Sequence, residues 1–281
     1  MTHPPPRVRT AEEVYGTAFA RYDEFERELD RSLGPRGFEL LFDLVTDLDL
    51  PPGSTALDVG CREGFFCVEL SRRYRFAIHG IDPVRAHLDG AARALHDLTA
   101  TEPDVAARIR VSSGVAEHLP ESAESVDLIW CRDVLPHVAD LAAAFSEFHR
   151  VLRPGGHAVI FQMTATDWLT PAEADRLFPV LGVHAASVDP ACFEAAIAGS
   201  GLTVDQRIEL HGEWRERSEE DQIAYRSSRQ LLHASRLLRN RPRFEEEFGT
   251  AACDAMLANS LWGVYQMIGK LNPRVYVLRR G

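Results

Sequence analysis

The chain predicts an α/β fold, a doubly wound and mostly parallel sheet with an added helical cap, and three observations carry that prediction. An apolar strand runs straight into a glycine turn and a helix in Thr55-Ala-Leu-Asp-Val-Gly-Cys-Arg-Glu-Gly-Phe65. The next apolar run, Phe76-Ala-Ile-His-Gly-Ile-Asp82, ends in an acid 24 positions after Asp58. Strands and helices then keep alternating to about residue 163, which implies right-handed crossovers and a sheet covered on both faces.

Taken in order, the leader after the prolines has Val14, Ala18, Phe19, Tyr22, Phe25 and Leu29 at helical spacing, and Gly34-Pro35 stops it. A second helix, 38–48, leads through Pro51-Pro-Gly53 into the first strand. In the turn that follows, Leu57 and Val59 point into a core, Gly60 lets the chain reverse and Gly64 lets the next helix approach. Residues 109–112 give the third strand, 126–131 the fourth and 157–163 the fifth. After Thr164 the alternation loosens, until a helix at 192–198 ends at Gly199 and Gly201. Residues 203–210 read as a sixth strand and 274–279 as the last.

About sixty residues lie between those two strands, more than a hairpin requires, and mark an inserted element. They read as helices at 219–240, 243–257 and 261–268. The resulting division is a helical lid at 1–50, a cofactor-binding core at 51–210, a helical cap at 211–272 and the final strand at 273–281.

A carboxylate at the tip of the second strand, near the spacing of about 20 residues expected of a ribose ligand, can accept both ribose hydroxyls. The glycine pattern alone is weak, and its sequel sharpens it. The chain continues Ser113-Gly-Val-Ala-Glu-His-Leu-Pro120, then Ser125-Val-Asp-Leu-Ile-Trp-Cys-Arg-Asp-Val-Leu-Pro-His-Val138, then Phe145-Ser-Glu-Phe-His-Arg-Val-Leu-Arg-Pro-Gly-Gly-His-Ala-Val-Ile160. In that order, roughly from residue 55 to 162, the segments resemble class I S-adenosylmethionine-dependent methyltransferases, most closely the branch with quinone-biosynthesis and small-molecule enzymes.

The resemblance implies a Rossmann-like, seven-stranded sheet with an antiparallel last strand and S-adenosylmethionine as cofactor. It places Asp58, Gly60, Cys61, Arg62 and Gly64 on the loop beside the cofactor's methionine part, and Asp82 on its ribose. Pro83 falls where an apolar side chain covers the adenine, and Val115, Ala116 and Glu117 on the segment at the adenine edge. Cys131, Arg132 and Asp133 fall beside the sulfonium. The chain departs from the family at Arg62, where a second glycine is usual, and at Val115, where an acid is usual. Either Arg62 adopts a strained positive φ, or the turn keeps a negative φ there and the side chain reaches the cofactor carboxylate or solvent.

Methyl transfer needs an acceptor held in line with the sulfonium, exclusion of water and, for a protonated acceptor, a base. His137 is the candidate base, with a hydrogen bond within the helix start as its bland alternative; Asp133 either orients it or caps the following turn. Arg132 either grips an anion or faces solvent. In the cap, Trp168, His211, Trp214 and Tyr225 are candidate substrate contacts, set against a role in the cap's own core. Tyr15, Phe19 and Tyr22 either close over the cofactor or join helices across a homodimer. Arg226, Arg229, His233 and Arg236 share one helical face, which either attracts an anion or is solvated.

Composition narrows the partners. A formal charge of −11 repels nucleic-acid phosphate, while 45% hydrophobic residues suffice for a sizeable core. The five cysteines lack the paired spacing of zinc or redox motifs, so reduced thiols and no metal are expected. Residues 1–7 lack the apolar core of a signal peptide and no run is long enough to cross a bilayer, so a cytoplasmic location without membrane contact is expected. Together with the resemblance, which implies methyl transfer, these features lead to the expectation of a small-molecule methyltransferase of specialised metabolism, with a fold-sharing cyclase or binding scaffold as the alternative.

Overall fold

The computed structural model describes residues 7–18, 20–223 and 226–281. It divides into two units, Met1–Pro35 and Arg36–Gly281. The first holds a π-wound segment, Glu12–Ala18, and α1 (Tyr22–Leu29), whose Tyr22, Phe25 and Leu29 are exposed.

The second unit opens with α2 (Glu39–Asp47), followed by β1 (Thr55–Val59), α3 (Phe65–Tyr74), β2 (Ala77–Ile81), α4 (Arg85–Thr101), α5 (Pro103–Ala106), β3 (Ile109–Ser112) and β4 (Val126–Arg132). A 3-10 turn, Leu135–His137, leads to α6 (Leu141–Val151) and the long β5 (Leu152–Ala165). Then come α7 (Pro171–Leu181), α8 (Ala185–Val188), α9 (Pro190–Gly199), β6 (Leu202–Glu209), the cap helices α10 (Glu213–Glu220), α11 (Ser227–Arg239), α12 (Arg241–Phe248) and α13 (Thr250–Met267), and β7 (Leu271–Arg280).

The seven strands lie in the order β3-β2-β1-β4-β5-β7-β6. Pairing is parallel from β3 through β5, and β7 runs antiparallel to both β5 and β6. Because strand order reverses between β1 and β4, the helices following these strands leave on opposite faces. A crevice therefore opens at their carboxyl ends.

Both faces are buried, which explains the nearly unbroken apolar runs of β1 and β4. On one face Phe42 of α2 stacks on Trp130 of β4, with ring centroids 5.4 Å apart, and Phe66 of α3 joins them at 5.3 Å from Trp130. On the other, α6 lays down Ala144, Phe145, Phe148 and Val151, and Phe193 bridges Phe145 to Tyr276 with centroids 5.3 Å from each. Asp127 at the start of β4 is structural: its Oδ2 accepts from Thr55 N at 2.8 Å and pins β1 to β4.

Three expectations change. Helix α2 belongs to the main unit, because Leu41, Phe42, Leu44 and Val45 are buried in its core; the division therefore falls at Pro35 and not at residue 50. Residues 171–181, where the alternation loosens, form a helix that starts on a reciprocal capping box between Thr170 and Glu173, with Pro171 in its first turn. The cap helices break differently from the expected ranges: the first divides into α10 and α11, Gly249 at φ +82° separates α12 from α13, and the stretch at 261–268 continues α13.

Candidate active site

The crevice is built from the glycine turn outward. Gly60 N and Cys61 N both donate to Ile81 O, at 2.8 and 2.9 Å, which draws the turn against the end of β2. Gly60 has φ +76°, and a Cβ there would lie 2.2 Å from Val134 Cγ2, so both conformation and space demand glycine. Arg62 has φ +49°, which overturns the negative-φ alternative: an L side chain occupies a left-handed turn position. Its guanidinium is largely exposed beside Glu63, 3.8 Å away. Gly64, also left-handed at φ +84°, opens α3.

Asp82 is buried and holds three protein donors. Arg62 N donates to Oδ2 at 3.0 Å, while Val84 N and His87 Nδ1 reach Oδ1 at 2.8 and 3.1 Å. Pro83 next to it is exposed. Across the crevice rim Val115 is 43% exposed and bridges to His118, Glu117 is half-buried, and the Ala116 methyl is buried in the core.

Asp58 is fully enclosed at the end of β1, where the Cys67 thiol donates to its Oδ2 at 3.2 Å. Burial pushes its carboxyl up to about 7; the Asp82 charge adds to this, and the Cys67 thiol and Arg132 oppose it. Cys131 is buried beside Asp58 and Asp133, and burial first, then both carboxylates, push its thiol up.

At the end of β4, Arg132 lays its guanidinium 4.7 Å from the Phe66 ring centroid and is half-buried, so the solvent-facing alternative does not hold. Burial lowers its pKa, with Asp133 and Asp58 pulling the other way. Among the described residues its N–H donors find no protein acceptor within hydrogen-bond distance. Asp133 takes a left-handed φ of +58°, its N donates to Phe161 O at 2.9 Å, and its buried Oδ1 has no partner. Aspartate enters this backbone region more readily than most residues, and its orphaned Oδ1 is left with acceptor capacity.

His137 is exposed, and its Nδ1 lies 3.1 Å from Gly182 O at the end of α7. The side-chain partner is therefore not within the helix start but 45 residues away. Because only a protonated Nδ1 can donate to a carbonyl, Nε2 is the free lone pair of the neutral ring.

The cap supplies a residue that sequence reasoning missed. Arg215, one step after Trp214 on α10, donates through Nε to Gln266 Oε1 at 2.7 Å and through Nη1 to Gln230 Oε1 at 3.5 Å. Burial lowers its pKa, Asp133 raises it and Arg132 lowers it, so the three side chains share one electrostatic neighbourhood. The sequence offered no spacing signal for Arg215, since its partners lie 15 and 51 positions away.

The other expected substrate contacts disperse. Trp214 packs its ring 4.5 Å from that of Phe161 in β5, so it closes the cap onto the sheet. His211 is exposed at φ +49°, with its backbone N donating to Asn272 Oδ1, and Trp168 is 72% exposed. Tyr225 and Phe19 lie outside the described residues. Tyr22 begins α1 in the leader unit. Among the described residues no three His, Cys, Asp or Glu side chains converge as a metal site.

Residues 57–160, the span of this crevice, match the family model described as a methyltransferase domain. By that match the segment is similar to class I methyltransferases. Curated methyltransferases that it resembles include the 2-methyl-6-phytyl-1,4-hydroquinone methyltransferase of Synechocystis, 34% identical over 42% of this chain and 33% of that protein. Another is the dimethylglycine N-methyltransferase of Parasynechococcus marenigrum, 27% identical over 62% of this chain and 61% of the relative. The chain thus spans between a third and three fifths of their lengths. Among solved structures, the chain shares its fold with a sarcosine dimethylglycine methyltransferase from Galdieria sulphuraria, with TM-score 0.64, 16% identity and 86% and 84% of the two chains covered. It also shares its fold with the 4+2 cyclase SpnF, with TM-score 0.65, 21% identity and 86% and 80% coverage.

Proposed function

We propose that the chain transfers a methyl group from S-adenosylmethionine to an oxygen, nitrogen or activated carbon of a small molecule in specialised metabolism. The observation that carries this reading is the buried Asp82 carboxylate at the tip of β2, tied by hydrogen bond to the glycine turn of β1 at the switch point of the sheet. The residues present fit the cofactor. Asp82 keeps lone-pair capacity on Oδ2 and gains more if His87 rotates away, so it would hold the ribose hydroxyls. Arg132, rich in uncommitted donors, would hold the carboxylate, and the orphaned Asp133 Oδ1 is an acceptor for an ammonium or hydroxyl group.

The cofactor supplies a methyl already activated by positive sulfur, which leaves the protein to position, dehydrate and deprotonate. Trp214 and Phe161 form an apolar wall and Arg215 a cationic one for the acceptor. His137, with its tautomer set by Gly182 O, takes a proton at Nε2. The names of the relatives, a hydroquinone and a dimethylglycine methyltransferase among them, support a small acceptor. Titration calorimetry with S-adenosylmethionine and its demethylated product tests the reading: binding that Asp82→Ala weakens supports it, and absence of heat and of thermal shift contradicts it.

A second reading, a cyclase or binding scaffold without methyl transfer, draws support from the left-handed Arg62 where the family has glycine. It predicts cofactor binding without release of labelled methyl to any acceptor.

A further inference from the structure

The cap contains a groove between α11, α12 and α13, outside the crevice. Its volume is about 370 Å³, within the range of small-molecule sites, and its walls are Leu237, Phe244, Phe248 and Met256. Phe248 and Met256 are 60% and 53% exposed. The Phe244 and Phe248 rings stack with centroids 6.4 Å apart to form one side. His233 and Arg236, one helical turn apart on α11, complete the lining.

The charge at that rim is uncompensated. Among the described residues neither His233 nor Arg236 has a hydrogen-bond or ion-pair partner for its side chain, whereas Arg241 on α12 is held by both Glu245 and Asp254. Helix α11 carries Arg229, His233, Arg236 and Arg239 and no acid. A neutral hydrocarbon would leave the Arg236 guanidinium unmatched, and a small polar anion would leave the Leu237, Phe244, Phe248 and Met256 walls uncovered. We infer that this groove binds an amphiphilic anion, an acyl chain ended by a carboxylate, with the chain along Phe244, Phe248 and Met256 and the head on Arg236 and His233.

The site is separate from the catalytic crevice. Met256 and Gln266, the residue that holds Arg215, lie ten positions apart on α13, about 15 Å at 1.5 Å per residue. Occupancy of the groove therefore does not depend on the proposed methyl transfer.

The test is calorimetric titration of the full chain with dodecanoate, 1-dodecanol and dodecylammonium. Dodecanoate is expected to bind and the other two to bind at least about 10-fold more weakly, since they lack the charge-assisted bond to Arg236. Arg236→Glu should weaken dodecanoate by about 10-fold or more. Ala252→Trp, which fills the groove from α13, should abolish uptake while the thermal midpoint and the affinity for S-adenosylhomocysteine stay as in the parent. Equal affinity for dodecanoate and dodecanol would overturn the assignment, as would unchanged binding in Ala252→Trp or no binding of dodecanoate at all. A dimer in sedimentation that Ala252→Trp converts to monomer, without dodecanoate uptake, would give the groove to a second copy of the chain and equally overturn it.

Discussion

The backbone N–H of Arg62 donates to Asp82 Oδ2 across 3.0 Å, so the turn after β1 and the acid at the tip of β2 are one structural unit. The carboxylate proposed to grip the ribose also holds a strained loop, with Arg62 at φ +49°. Asp82→Ala should remove both functions. S-adenosylhomocysteine affinity should fall by about 2 kcal/mol, some 30-fold, as charge-assisted bonds are lost. Calorimetry measures this directly, and unchanged affinity would place the ribose elsewhere.

Substitutions at Arg62 should separate backbone from side chain. Arg62→Gly relieves a left-handed residue at a cost in chain entropy, so denaturant unfolding should show a gain of about 0 to 1 kcal/mol. Arg62→Val, β-branched at the same φ, should lose about 1 kcal/mol or more. Equal effects from the two would argue against backbone strain.

Gly60 tolerates no side chain. Gly60→Ala combines φ +76° with a clash on Val134 and should destabilise by about 2 to 4 kcal/mol in urea unfolding. Adding Val134→Ala removes the neighbouring methyls and should recover part of that loss.

Asp58 predicts a pH signature. Its folded pKa of about 7 lies above the usual value of about 3.9, so between those limits the folded chain binds more protons than the unfolded one. That contribution to stability is full at low pH and is lost as pH rises toward 7. Asp58→Asn abolishes the titration, so its thermal midpoint should gain on the parent's from pH 5 to 7 and run parallel above. A difference that shrinks with rising pH would contradict the assignment.

His137 should matter only for acceptors that lose a proton. His137→Ala should slow transfer to an alcohol or ammonium by about 100-fold and leave transfer to an anionic acceptor near the parent rate. A near-normal rate on an alcohol removes it from the mechanism.

The sheet was legible because parallel strands buried on both faces read as apolar runs, and β3 at Ile109–Ser112 is placed as expected. The acids at the ends of β1 and β2 followed from the same pattern. Helix α7 is not legible in the alternation, which loosens after Thr164 through Pro171 and Pro179, although Thr170-Pro-Ala-Glu173 is a start signal. The cap's breaks were hidden, since an unremarkable stretch ends α10 and Gly249 alone divides α12 from α13. Arg215 could not be read at all: it reaches the crevice through Gln230 and Gln266, a relation made only by packing α10 on α11 and α13.

A crystal soaked in S-adenosylhomocysteine tests the central claim most directly. The account predicts the ribose diol on Asp82 and the sulfur at the carboxyl end of β4 beside Asp133. Full ligand concentration with an empty crevice, or the nucleoside bound away from Asp82, would contradict it.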